Sequence, residues 1–347
     1  IKWINEYKSR ACLSLQNSKT LEAKWFEGGK LNFAENLLLN SDDRIAIIDY
    51  NEDLDPYTLT REQLYVKVAL LSNYLRCKGL KKGDRVAGIV TNNSDSVIIM
   101  LAVAACGGIW SSCSPDFGVD ALVDRLEQIE AKYLFFHSGY TYKDKFFDCS
   151  EKISNCIRRL KTLELAICCS EKRQCSLDYK ELPIEYLIIK SLQSPPKVNI
   201  KLSFEKMDFS DPLYILFSSG TTGKPKGIIH SVGGTLLQHK KELMLHTDLR
   251  SRDKILFYTN CGWMMWNWMV SSLCLGAAVV LYDGHPFSPS LDILWKICDK
   301  EDLTVLGISP KYISECINKT IYPGEKNHLS SLKTILSTGA PLLAEHY

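Results

Sequence analysis

The chain has 347 residues, 46% hydrophobic and 10% aromatic, with 12 Pro and 20 Gly, which is too apolar for an intrinsically disordered segment and excludes a collagen-like or low-complexity fibre. Its 42 Lys and Arg stand against 40 Asp and Glu, a formal net charge of +2, so bulk attraction to nucleic acid or anionic lipid is excluded and a polyanionic ligand must be met by local charge. At about 100–200 residues per domain the length corresponds to two domains, or to one large domain with subdomains. The 13 cysteines are odd in number and contain no C-x-x-C pair, which fits neither a zinc site nor a disulfide framework and implies the reduced thiols of a cytosolic or nuclear protein. Residue 1 is Ile, and Ile1–Arg10 has no basic segment leading into an apolar run, so no targeting signal is read there.

In chain order, residues 1–43 read as a strap, with the aromatic pair Trp25-Phe26, a Gly28-Gly29 turn and a short amphipathic run to Leu38. Short β-type runs and helical patterns then alternate. Arg44–Asp49 predicts a strand, Thr60–Gly79 a helix closed by Gly79, and Arg85–Thr91 a strand after the Lys82-Gly83-Asp84 turn. Ser94–Cys106 predicts a helix capped by Asn93 or Ser94, Ile109–Cys113 a strand, Val119–Glu130 a helix with Leu122, Leu126 and Ile129 on one face, and Tyr133–His137 a strand. Strands separated by helices of this length imply βαβ units, an α/β fold of mostly parallel sheet with helices on both faces. Ser138–Lys197 is less regular, with a charged helical pattern and apolar runs at Leu163–Cys169 and Tyr186–Ile189. The expected organisation is one block over about 44–190, a linker near 191–210 that includes Pro195-Pro196, and a second α/β block from about 211 to 347. The 28 uncharged residues Ile255–Tyr282 are long enough to span a bilayer, but Asn260, Gly262, Asn267, Ser271 and Ser272 interrupt them, which favours a buried strand, turn and helix.

The string that carries chemistry is Tyr214–Gly227, YILFSSGTTGKPKG. A buried strand delivers the chain into Ser218, Ser219, Gly220, Thr221, Thr222 and Gly223, small residues whose hydroxyls and close-approaching N–H groups suit a phosphate chain. Lys224 and Lys226 add positive charge, Pro225 stiffens the exit, and Gly227 leads through Ile228–His230 and a Gly233-Gly234 step into a helical run, Leu236–Leu245. The P-loop pattern G-x-x-x-x-G-K-[ST] is not met, because Gly220 and Gly223 are two residues apart and Pro225 follows Lys224. A second string, Cys261–Asn267, places Trp263, Met264, Met265, Trp266 and Asn267 together. Two Trp and two Met suit a small apolar pocket, Asn267 offers an amide to a keto or carboxylate oxygen, and a packed core strip is the competing reading.

SSGTTGKPKG resembles the phosphate-binding signature of the AMP-forming acyl-adenylating (ANL) superfamily, which includes acyl-CoA synthetases, luciferases and peptide-synthetase adenylation domains. Trp25–Leu38 resembles the opening segment of the acetyl-CoA synthetase branch, and Thr259–Gly284 is most similar to the acetoacetate-activating members. The resemblance covers essentially the whole chain. It implies an ANL-type large N-terminal adenylation domain of layered sheets over 44–347, preceded by the 1–43 strap, incomplete at its end and without the small C-terminal domain. The implied reaction joins acetoacetate to CoA through an acetoacetyl-adenylate, consuming ATP with Mg2+ and releasing AMP and pyrophosphate, in a cytosolic enzyme that feeds ketone-body carbon into lipid synthesis. Little acid–base catalysis is needed, because the substrate carboxylate is the nucleophile; neutralising charge on the α-phosphate and the leaving pyrophosphate falls to Thr221, Thr222, Lys224 and Lys226.

By the same resemblance Ser218–Gly227 hold the ATP phosphates, Gly339, Ala340 and Pro341 flank adenine, Trp263–Asn267 line the acyl pocket and the channel for the CoA arm, and Arg125 meets the CoA nucleotide phosphate. Acetyl-CoA synthetases carry a His near the place of Asn267, so the departure argues for a larger acyl group than acetate. No residue is assigned as a metal ligand. The family's later Tyr-Gly-x-Thr-Glu-type string, its ribose-binding Asp, its hinge and its C-terminal Lys are not found in the sequence. Competing readings are a ligase for another short acid, acetate or propionate, and a non-catalytic nucleotide-binding product. The expectation is that residues 1–347 alone do not adenylate acetoacetate; acetoacetate-dependent ATP–pyrophosphate exchange by the purified polypeptide overturns it.

Overall fold

Two mostly parallel sheets share one buried helix between them. The computed structural model describes residues 1–3, 25–39, 41–170, 182–192, 200–218 and 223–347. The first sheet runs in the order 184–186, 165–168, 133–136, 85–89, 109–113, 212–218 and 226–231, parallel except for the last strand. The second runs 334–337, 305–308, 254–257, 278–283, 45–51 and 57–60, again with one antiparallel strand at its end. Sheet membership crosses the sequence blocks. The 45–51 strand pairs with 278–283, Ile47 opposite Val279, whereas 212–231 joins the first sheet through Tyr214 opposite Trp110. Ile47 and Val279 are wholly buried, and apolar faces of this kind pair by what they bury rather than by distance along the chain.

The predicted elements are found close to their expected places. Thr60 caps the Arg61–Cys77 helix in a reciprocal capping box with Gln63, and Gly79 follows at a φ of 90°. Asn93 accepts the Ser96 N–H at the start of Ser94–Ala105, and every residue of that helix is buried, as expected of a helix apolar on all sides. Its apolar side chains share one core with Ile47, Ile255 and Val279 of the second sheet and Val86, Trp110 and Tyr133 of the first. The uncharged 255–282 run resolves into the strand Lys254–Phe257, the helix Met264–Val270, a 3-10 turn and the strand Ala278–Asp283. Among the described residues no helix is long and apolar enough to cross a membrane. The described cysteines are free and, apart from Cys77 and Cys274, buried, where a thiol packs as a small apolar group.

Three local features differ from expectation. Residues 139–148 form a two-stranded hairpin, Gly139–Tyr142 with Lys145–Asp148, where the sequence suggests only charged helix. Part of the expected linker is packed: Leu202, Met207 and Phe209 are buried, and Met207–Asp208 pairs with Lys30–Leu31. The Gly233-Gly234 step lies inside a helix, Val232–Lys241, whose cap Ser231 accepts the Gly234 N–H. The reason is Phe209, which stacks on Trp3 and packs at a tilt against Phe26 of the strap and lies so close to Gly233 that a Cβ there would stand 2.1 Å from the ring. Gly233→Ala is therefore expected to lose about 1–3 kcal/mol by overpacking, although Ala favours a helix interior by about 1 kcal/mol. Urea unfolding measures the sign, and a net gain contradicts this packing.

Candidate active site

The glycine- and hydroxyl-rich string sits on an antiparallel hairpin. Strand 212–218 pairs with 226–231, Ser218 facing Lys226. Ser219, Gly220, Thr221 and Thr222 lie outside the described residues; Gly223, Lys224, Lys226 and Gly227 are exposed and Ser218 and Pro225 half-buried. The Val119–Gln128 helix clamps the string from one side. Asp124 and Gln128, one turn apart on the same face, bond Lys224 Nζ at 3.0 Å, the Pro225 carbonyl at 3.0 Å and the Gly227 N–H at 3.0 Å. Between them on the helix, Arg125 is half-buried, donates to the Ala121 carbonyl and places its guanidinium over the rings of Phe117 and Phe217 at 4.8 and 5.8 Å. Arg125 is thus oriented by cation–π contact at the foot of the hairpin.

A cavity of about 560 Å³ opens beside it. Its walls come from segments just past the carboxyl ends of strands in both sheets: Val90–Asn92 and Ser114–Asp116 from the first, and Tyr258–Asn260, Asp283-Gly284, Ser309 and Thr338-Gly339 from the second. Open α/β sheets take ligands at such ends. Asp116 on the rim directly precedes Phe117, the ring beneath Arg125, which links cavity and clamp. A larger hollow, about 660 Å³, lies between Trp25, Phe209 and Gln238 beside the strap and gathers none of the motif residues.

Of the predicted pocket residues, Trp263 and Met265 line the cavity, whereas Met264, Trp266 and Asn267 do not. This corrects the reading for the last two, which are 0% and 1% exposed. The Met264–Val270 helix turns them inward. Trp266 Nε1 donates to Asn92 Oδ1 at 2.9 Å, and the Asn267 carbonyl accepts from Ser271 Oγ, itself 2.8 Å from His239 Nδ1. Asn267 Nδ2 reaches only the Trp263 carbonyl at 3.4 Å, and its Oδ1 has no partner. Gly339 lines the cavity, while Ala340 and Pro341 are exposed beyond it.

Sequence reasoning passed over the polar wall. Burial pushes the Asp283 carboxyl up to about 6, with the Asp49 charge adding to the rise and hydrogen bonds from the Thr91 hydroxyl and the Asn92 N–H opposing it. Behind it Thr91 N–H donates to His137 Nδ1 at 3.1 Å, which leaves the ring proton on Nε2, 3.7 Å from Asp95 Oδ2. Asp49, also raised by burial, is held by Lys190 at 3.3 Å and by Ser94. The signal for Asp283 was its position as the acidic residue closing the uncharged 255–282 run; the others carry no local pattern.

A two-sheet α/β layout, a clamped Ser/Thr/Gly hairpin and a cavity at the strand ends describe a nucleotide-handling enzyme domain. The chain belongs to the AMP-binding enzyme family, whose model matches residues 34–347. It is 43% identical over 332 residues to the acetoacetyl-CoA synthetase of Mus musculus, covering 93% of this chain and 49% of the relative. It is 40% identical over 334 residues to the acetoacetyl-coenzyme A synthetase of Rhizobium meliloti, covering 96% and 51%. The solved acetoacetyl-CoA synthetase from Streptomyces lividans superposes with a TM-score of 0.86 at 36% identity, over 93% of this chain and 49% of that one. The chain thus spans about half the length of the relatives it matches.

The Asp283 carboxyl carries a stability consequence. Folded, it holds its proton to about pH 6 against 3.8 in an ordinary setting, so the folded state binds more protons in that window and stability falls as pH rises through it. Asp283→Asn is expected to be more stable than the parent by about 1–3 kcal/mol at pH 7 and to lose that advantage near pH 4. Urea unfolding at both pH values measures it, and an equal difference at both contradicts the assignment.

Proposed function

We propose that this chain carries the ATP- and acyl-handling part of an ATP-dependent ligase that joins acetoacetate to CoA in the cytosol, feeding ketone-body carbon into lipid synthesis. The observation that carries the reading is the 43% identity, across 93% of the chain, to a synthetase of that name. The acetoacetate carboxylate attacks the α-phosphate of ATP, the bond to pyrophosphate breaks, and acetoacetyl-adenylate forms. The CoA thiol then attacks the acyl carbon, releases AMP and gives up its proton. Ser218–Gly227 hold the phosphates, with Thr221, Thr222, Lys224 and Lys226 neutralising developing charge. Trp263 and Met265 bound the acyl group and the thiol arm, Gly339 lies against adenine with Ala340 and Pro341 beyond it, and Arg125 meets the CoA nucleotide.

Mg2+ would enter on the ATP phosphates and neutralise their charge beside Lys224 and Lys226. Burial of Asn267 removes one ground for preferring acetoacetate over acetate. The preference then rests on the relatives and on the size of the cavity, with Trp263 and Met265 on its wall.

In the free chain Lys224 is paired with Asp124 at 3.0 Å and is largely exposed. Such pairs are worth about 0–1 kcal/mol, so a phosphate displaces Asp124 at small cost. Lys224→Ala is expected to weaken ATP binding by about tenfold and Asp124→Asn to tighten it by a few-fold at most; calorimetric titration reads both, and equal affinities sink the phosphate role of Lys224. Acyl preference is read on residues 1–347 joined to the remaining length of the Streptomyces lividans relative. Acetoacetyl-CoA is expected to form faster than acetyl- or propionyl-CoA, and a preference for acetate overturns the assignment.

A further inference from the structure

The turn of the 139–148 hairpin is tied to the end of the second sheet by the Glu52 side chain. Glu52, directly after the 45–51 strand, is 5% exposed. One carboxylate oxygen accepts the N–H groups of Lys143 at 2.9 Å and His285 at 2.7 Å, and the other accepts Asp144 N–H at 2.7 Å. Lys143 and Asp144 hold φ values of 53° and 58°, the conformation of a tight two-residue hairpin turn. Gly284 leaves the space for Glu52, since a Cβ there would stand 2.6 Å from Glu52 Cγ. Tyr142 meets the His285 ring edge-on at 5.0 Å, and Ser288 Oγ lies 3.3 Å from Asp144 Oδ2.

The segments joined in this way supply Tyr140, Tyr142, Asp283 and Gly284 to the lining of the cavity. A carboxylate offers acceptors on both oxygens, whereas an amide would turn an N–H against one of the three donors. Strand 133–136, from which the hairpin extends, lies three places from strand 212–218 in the first sheet, roughly 14 Å at about 4.8 Å per strand. Glu52 therefore acts on the cavity walls and not on the phosphate hairpin.

We propose that Glu52 is a positioning residue whose carboxylate pins the 139–148 hairpin to the 283–288 loop and so sets the width of the cavity for the thiol arm of CoA. This rests on the ligase reading. The test titrates CoA and ATP separately onto the 347-residue chain and onto its Glu52→Gln and Gly284→Ala variants, with amide exchange at Tyr142–Lys145 followed in each. Both variants are expected to weaken CoA by about tenfold, to weaken ATP, whose adenine shares the cavity at Gly339, by clearly less, and to speed exchange across the turn. Unchanged CoA affinity, or parallel loss of CoA and ATP, overturns the proposal. If the parent chain binds no CoA the ligase reading fails, and the exchange comparison alone then decides the latch: unchanged exchange overturns it.

Discussion

The Asp49 carboxylate is the constraint on which the molecule is assembled. It stands within the 45–51 strand of the second sheet and accepts both the backbone N–H and the hydroxyl of Ser94, at 3.0 and 2.7 Å, at the first residue of the helix packed between the sheets. A negative group at a helix N-terminus satisfies donors that have no partner within the helix and interacts favourably with the helix dipole. From Val97 on, that helix is apolar and buried, so dispersion and burial hold that part without fixing how far it slides along its axis. Asp49 supplies that fixed point, and Lys190 offsets its charge. Because the cavity lies directly beyond the same strand ends, the bond that joins the sheets also sets the distance between the two halves of the cavity wall.

Much of the fold was legible from local signals, and the misses share one physical cause. Asn93 and Gly79 located the ends of their helices within a residue or two, because capping acts over one turn, whereas the run expected at Leu236–Leu245 begins four residues earlier, at Val232. Which sheet a strand enters is a long-range matter. Nothing within residues 44–51 announces pairing with 278–283 more than 200 residues later, and the place of Gly233 inside a helix depends on the Phe209 ring above it. The 139–148 hairpin was hidden because its turn residues, Lys143 and Asp144, are not the glycines that positive φ normally selects.

For the cavity, residue type pointed to a segment that lines it but not to which of its side chains face it. Trp263, Met265 and Gly339 face the cavity as a string of aromatic, thioether and glycine residues suggests, whereas Trp266 and Asn267, one helical step on, belong to the core. The polar wall was hardly legible at all, since Thr91, Asn92 and His137 become a group only when the strand ends converge. The near-neutral composition also concealed how charge is arranged. Lys224 is countered by Asp124 and Arg125 is shielded by two aromatic rings, so the positive groups at the hairpin are present but held.

Each sheet closes on one antiparallel strand, and in the first sheet that strand is the second arm of the motif hairpin. Among the described residues strand 226–231 therefore has a neighbour on one side only, and Ile228 and Ile229 on it are exposed. Mechanically it is a cantilever. Any pull exerted on its free end travels through a single hydrogen-bond ladder and through Gln128, while strand 254–257, which leads to Trp263 and Met265, is paired on both sides. Compliance is thereby concentrated at the outer arm of the hairpin, and the wall that carries Trp263 and Met265 behaves as the fixed jaw of a vice.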